Sequence, residues 1–290
     1  MKKLIYAIAA LAAAAAVSSC DLFEYDNYDG PNAQITGRLL DVKTGDKIGV
    51  ETGTTTSFDW STWSNVTKTD GGSLVVVELG FVPPTWTGDP ADYEFKETDQ
   101  DWLVRFDGQY TNNLVFAGDY KFSTKKLPCY EALNNVFTVK EGKNKMDIGL
   151  VPFCRIIDPV ITYDAAAKQI VASFYVELGD PTKACNITNV ALCGNTQLFV
   201  GCNYQNLAKN DKGAQAKNVN PGERITLAID TASASNADLF KYTQERYVRI
   251  AAMANGNGYN GNNLYNFSPI FKISSDFSVI EEVVWDENEW

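Results

Sequence analysis

The stretch Ile170-Val171-Ala172-Ser173-Phe174-Tyr175-Val176-Glu177-Leu178 decides the fold. Ile170, Ala172, Phe174, Val176 and Leu178 fall on one side of a two-residue repeat, and Val171, Ser173, Tyr175 and Glu177 on the other. That is the pattern of a half-buried strand, because successive side chains leave opposite faces of an extended chain. Ile225, Leu227 and Ile229 alternate with Thr226, Ala228 and Asp230 in the same way, and Trp102, Val104 and Phe106 share a face opposite Leu103 and Arg105.

The neighbouring sequence repeats the theme. Downstream, Arg155 to Tyr163 with an Asp158-Pro159 bend, Tyr247 to Met253 and Ile270 to Ile273 read as strands, and only Ala237 to Thr243 suggests a helical turn. Upstream, strands are expected at Ile35 to Leu40, Leu74 to Leu79, Trp102 to Phe106, Asp119 to Phe122, Val136 to Val139 and Lys145 to Leu150. Lys43-Thr44-Gly45-Asp46, Gly71-Gly72, Pro83-Pro84 and Asp107-Gly108 punctuate them as turns or loops. Many short strands with Gly and Pro punctuation make an all-β chain, here two β-sandwich domains in tandem over residues 34–152 and 153–274. The unit changes near Val151-Pro152-Phe153, and an acidic tail, 275–290, is left without an assigned structure.

Composition narrows the function. The 290 residues carry a formal charge of −11 and 45% hydrophobic residues, enough apolar surface for folded cores. So acidic a chain repels nucleic acid and anionic lipid surfaces, which leaves neutral or cationic partners. Histidine is absent. Imidazole-based triads, His-ligated zinc or iron and a histidine general base are thereby excluded, whereas carboxylate chemistry and oxygen-ligated calcium are compatible with the composition. No EF-hand-like spacing and no CxxC pattern occurs, so no metal or other cofactor is expected.

The N-terminus reads as an address. Lys2 and Lys3 precede an alanine-dominated apolar run, Leu4 to Val17, which is shorter than the roughly 20 residues of a spanning helix. Val17-Ser18-Ser19-Cys20 resembles the lipobox of bacterial lipoproteins, with Val17 where Leu is usual. The resemblance implies a signal peptide over residues 1–19, lipidation of Cys20 and a lipidated acidic tether over 20–33; the alternative is a secreted protein that begins with a disulfide cysteine. Cleavage would move the charge to −13, since Lys2 and Lys3 are lost. Asp21, Glu24, Asp26 and Asp29 resemble the acidic export signal that sends Bacteroidetes-type lipoproteins to the cell exterior, and read equally as a solvated linker. Cys129, Cys154, Cys185, Cys193 and Cys202 are then an odd number, so at least one is free or pairs with another chain.

Family resemblances appear along the mature chain. Gly37-Arg38-Leu39-Leu40-Asp41, Thr44-Gly45 and Ile48, followed by Phe106-Asp107-Gly108-Gln109-Tyr110 and Phe116-Ala117-Gly118-Asp119-Tyr120-Lys121-Phe122, resemble a carboxypeptidase regulatory-like, transthyretin-like sandwich. The second unit is most like an immunoglobulin or fibronectin type III module. The two in this order, with Asp26-Asn27-Tyr28-Asp29-Gly30-Pro31, Val151-Pro152-Phe153 and Tyr247-Val248-Arg249-Ile250, resemble the DUF3823 lipoproteins of Bacteroidetes polysaccharide-utilisation loci. That resemblance implies a cell-surface, glycan-uptake setting and brings no catalytic residues with it.

Sugars are held by aromatic faces and by amides or carboxylates. Trp60, Trp63 and Trp86 lie in loop-like sequence, and Tyr259, Asn260 and Tyr265 in the Asn/Gly-rich run from Asn255 to Asn266. The competing readings are tryptophans that cap the core and a hairpin connection. Paired carboxylates at glycosidase spacing arise by chance among 36 acidic residues, so the chain is expected not to be an enzyme. The expected function is an outer-membrane surface lipoprotein that binds poly- or oligosaccharide beside a SusC/SusD-like, TonB-dependent transporter. The alternative is a structural or adhesin-like accessory lipoprotein that packs on other surface proteins.

Overall fold

A computed structural model describes residues 30–51, 54–59, 64–69, 72–80, 87–88, 98–203 and 212–284. Its strands are β1 (Ala33–Asp41), β2 (Thr54–Asp59), β3 (Ser64–Thr69), β4 (Ser73–Leu79), β5 (Gln100–Leu103), β6 (Gln109–Val115), β7 (Gly118–Ser123), β8 (Val136–Val139), β9 (Gly142–Lys145) and β10 (Ile148–Leu150) in the N-terminal part. The C-terminal part holds β11 (Cys154–Asp164), β12 (Gln169–Leu178), β13 (Asn186–Asn195), β14 (Gln215–Val219), β15 (Arg224–Asp230), β16 (Arg246–Asn255), β17 (Asn266–Ile273) and β18 (Ile280–Glu282). One helical turn, α1 (Ala237–Phe240), lies where the sequence suggests one.

The N-terminal sandwich packs a sheet centred on β1 against the sheet β5-β4-β7-β8. β1 pairs antiparallel with β6, from Ala33 opposite Val115 to Arg38 opposite Gln109. It also pairs parallel with β9 and then β10. Inward residues of β1 (Ala33, Ile35, Leu39) meet Leu74, Val76, Trp102, Tyr110, Tyr120 and Phe122 in one buried cluster. Trp102, Val104 and Phe106 are all buried while Leu103 is exposed, as the two-residue repeat requires. β2 and β3 form a separate hairpin.

The C-terminal sandwich packs β11-β12-β15 against β14-β13-β16-β17-β18. Ile170, Ala172, Phe174 and Val176 of β12 point inward with Ile225, Leu227 and Ile229 of β15. The five-stranded sheet is covered on both faces. Val190, Leu192, Val248 and Ile250 face the inner core, whereas Ala191, Cys193, Ala251 and Ile270 form a second cluster with Val200 on the outer face. This double burial accounts for the apolar run Ile250 to Ala254 in β16, where a strand with one wet face would alternate. Part of the tail, Ile280–Glu282, adds β18 to the edge beside β17. Among the described residues no helix is long and apolar enough to cross a membrane.

Candidate functional site

The Asn/Gly-rich run connects β16 to β17. Positive φ angles at Asn257, Gly258, Asn260 and Asn263 (39°, 86°, 54° and 55°) explain its composition, because glycine and asparagine enter the left-handed region most cheaply. Asn260 is buried. Its Nδ2 donates to the carbonyls of Ala254 and Leu264 (3.0 and 2.9 Å) and to Asn255 Oδ1 (2.9 Å). Its Oδ1 accepts from the Leu264 N–H at 2.8 Å, so both ends of the amide are engaged in closing the loop.

Tyr259 is half-buried, edge-on to Tyr130 with centroids 5.2 Å apart, and the Lys183 ammonium stands 5.7 Å from its ring centre. The Tyr265 hydroxyl accepts from Asn189 Nδ2 at 2.7 Å, and its ring packs beside Phe267. Burial raises the Tyr265 pKa. The run also reaches the N-terminal sandwich, where Asn262 Nδ2 donates to the Lys125 carbonyl at 2.6 Å. These side chains brace the loop. Trp60, Trp63 and Trp86 lie outside the described residues, as do Cys20 and the rest of residues 1–29.

A cavity of about 540 Å³ opens instead at the junction of the two sandwiches, lined by Asp41, Asp107, Arg155, Arg249, Asn266 and Phe267 among others. Asp41 ends β1 on its inward-facing repeat, and Arg155 is the second residue of β11. Arg155 donates through Nη2 to Asp41 Oδ1 at 2.7 Å, through Nε to Oδ2 and through Nη1 to the Gly179 carbonyl at 2.7 Å. Both partners are buried, and these bonds raise the Arg155 pKa.

Arg249, from the middle of β16, is only 3% exposed. Its Nε donates to the Ser268 carbonyl at 2.8 Å and its Nη2 to the Phe106 carbonyl of the other sandwich at 3.0 Å. The guanidinium lies 4.5 Å from the centre of the Phe267 ring. Burial brings its pKa down to about 10, which leaves it cationic at neutral pH. Asn266 spans the junction too: Oδ1 accepts from the Cys154 N–H at 3.0 Å and Nδ2 donates to the Pro128 carbonyl at 2.9 Å.

Asp107 differs from the others. Its Oδ1 accepts from the Gln109 N–H at 3.2 Å and shapes the turn into β6, while its Oδ2 is buried with no hydrogen-bond partner. A buried carboxylate oxygen without a donor is costly unless something supplies one. Ile48, Ile156 and Phe267 share the cavity lining with Asp41, Asp107, Arg155, Arg249 and Asn266. A small-molecule-sized cavity lined by both apolar and hydrogen-bonding side chains suits a neutral ligand bearing hydroxyls.

Sequence reading placed the ligand on aromatic loops and did not single out Asp41, Asp107, Arg155, Arg249 or Asn266 as site residues. A signal was present in two of them. Arg249 interrupts the apolar run from Tyr247 to Met253, and Asp107 sits in the Phe106-Asp107-Gly108 turn already noted for its family resemblance.

No protein-family model and no curated protein matches the chain. Solved structures do. A candidate carbohydrate-binding protein from Bacteroides uniformis is 26% identical, with a TM-score of 0.64 over 88% of this chain and 100% of that one. A DUF3823 family protein from Parabacteroides merdae is 18% identical, with a TM-score of 0.59 over 84% of this chain and 99% of that one. Another from Bacteroides ovatus is 17% identical, at 0.56 over 84% and 100%. The chain therefore has the two-sandwich fold of DUF3823 family proteins, as the sequence motifs imply.

Proposed function

We propose that this chain is a lipid-anchored outer-membrane protein that binds poly- or oligosaccharide at the cell surface without catalysis, in a glycan-uptake system beside a SusC/SusD-like transporter. The observation that carries the reading is the junction cavity itself, about 540 Å³, in which apolar Ile48, Ile156 and Phe267 stand beside polar Asp41, Asp107 and Asn266. The B. uniformis relative, matched over its whole length, supports the same ligand class. Cys20 carries the anchor.

The test is calorimetry of residues 21 to 290 against plant, mucin and microbial glycans, with Asp107→Asn run alongside. That variant keeps the Oδ1 acceptor of the turn and removes the carboxylate from the cavity lining, so glycan affinity should fall at least about tenfold. Binding that survives Asp107→Asn and disappears in Trp60→Ala/Trp63→Ala would move the site to the tryptophan loop. Silence from the folded parent protein across the panel would refute sugar binding and favour the accessory role.

A further inference from the structure

Cys193 and Cys202 differ from the other thiols in having each other. Their sulfurs are 3.6 Å apart, a non-bonded contact, with Cys193 wholly buried on β13 and Cys202 half-buried in the segment that follows it. Cys129, Cys154 and Cys185 are buried elsewhere, with Cys154 Sγ against Asn266 Oδ1 at 3.6 Å and Cys185 Sγ accepting from the Tyr130 hydroxyl at 3.4 Å.

We propose that Cys193 and Cys202 are joined by a disulfide in the mature protein, and that this bond fastens the strap holding the two sandwiches together. The strap is the short run from Thr196 to Asn203. Phe199 lays its ring 5.1 Å from that of Phe106 in the N-terminal sandwich, and Val200 inserts under the outer face of the five-stranded sheet. Asn203 donates its backbone N–H to Glu51 Oε1 and its Nδ2 to Glu51 Oε2 at 3.2 Å. Phe106 in turn supplies the carbonyl that receives Arg249 and adjoins Asp107, so the strap covers the back of the cavity wall. A bond from Cys202 to β13 fixes both ends of this segment to the sheet it leaves.

Closure requires the sulfurs to approach from 3.6 Å to a bonded distance of about 2.05 Å. Each thiol gives up its proton and one electron as the S–S bond forms. The two electrons and two protons reduce a second disulfide to two thiols, that of an exported dithiol oxidoreductase in the cell or of oxidised glutathione in the tube. In the reduced fold the hydrogen bond with Cys193 and burial both hold the Cys202 thiol far above its ordinary pKa. Thiolate is the attacking species, so the bond forms while the strap is still open during folding. One such pair among the five cysteines after Cys20 leaves three, all of them buried.

The experiment is to refold residues 21 to 290 in a glutathione redox buffer, then denature the chain and titrate its thiols. The expected result is three titratable thiols of five, a peptide linking Cys193 to Cys202, and a thermal midpoint that falls by about 5 to 10 °C on reduction. Cys193→Ser/Cys202→Ser should lose that response to reductant. Five free thiols in protein that has refolded in oxidising buffer, or a linkage between any other two cysteines, would overturn the proposal.

Discussion

Removing the Asp41 carboxylate tests how the sandwiches are joined. Asp41 accepts two hydrogen bonds from Arg155 and one from the Lys43 N–H at 2.9 Å, and the Arg155 side chain is only 6% exposed. In Asp41→Ala the guanidinium keeps its bond to the Gly179 carbonyl and stays protonated, now as a buried charge that has lost its hydrogen-bonded counter-ion and keeps only the attraction of Glu177. Breaking a buried pair from one side costs about 3 to 5 kcal/mol, whereas replacing both partners by apolar residues is about neutral or better. Asp41→Ala should therefore lower the urea midpoint by about 2 M at an m-value of about 2 kcal/mol/M. Asp41→Leu/Arg155→Met should recover most of that loss. Because the pair joins β1 to β11, the single variant should also separate the unfolding of the two sandwiches, read as non-coincident circular dichroism and fluorescence transitions. An Asp41→Ala midpoint within about 0.5 M of the parent, equivalent to about 1 kcal/mol, would refute the reasoning, as would a double variant no more stable than the single one.

Two further outcomes concern stability alone. Gly108 has φ +80°, and a Cβ there would stand 2.5 Å from the Ile48 carbonyl oxygen, so Gly108→Ala should cost at least about 2 kcal/mol in thermal unfolding. An unchanged midpoint would show that the turn relaxes freely. Arg38 donates to both oxygens of Asp147, with Nη2 to Oδ2 at 2.6 Å, and holds that carboxyl below its ordinary pKa. A carboxyl depressed in the folded state contributes stability above the unfolded pKa of about 4, and that contribution is lost as pH falls through the folded value. Asp147→Asn should then be about 0.5 to 1 kcal/mol less stable at pH 7 and indistinguishable from the parent near pH 2, since the pair is partly exposed. An equal gap at both pH values would remove the ion pair as the cause.

Much of the fold was legible because one-sided burial imprints a two-residue repeat. β12, β15 and the run through Trp102, Val104 and Phe106 could be read residue by residue. β16 was legible as a strand, but its second buried face was not, because an apolar run does not say which neighbour covers each side. The junction was illegible for a related reason. The bond from Arg249 to the Phe106 carbonyl spans 143 positions, and no local pattern records a partner that distant. Asn260 shows the opposite failure: the sequence presents an amide in a loop, and only the backbone shows that the loop consumes it. Cys193 and Cys202 lie nine positions apart on a strand and its trailing strap, a spacing that matches no metal motif and discloses no pairing.

The position of β1 has a mechanical consequence. It is the first strand described, and it lies inside its sheet, with β6 along one edge and β9 and β10 in parallel register. A load applied ahead of Ala33 is therefore directed along β1 and meets its ladder bonds in shear, many sharing the force at once, where an edge strand pulled sideways would peel one bond at a time.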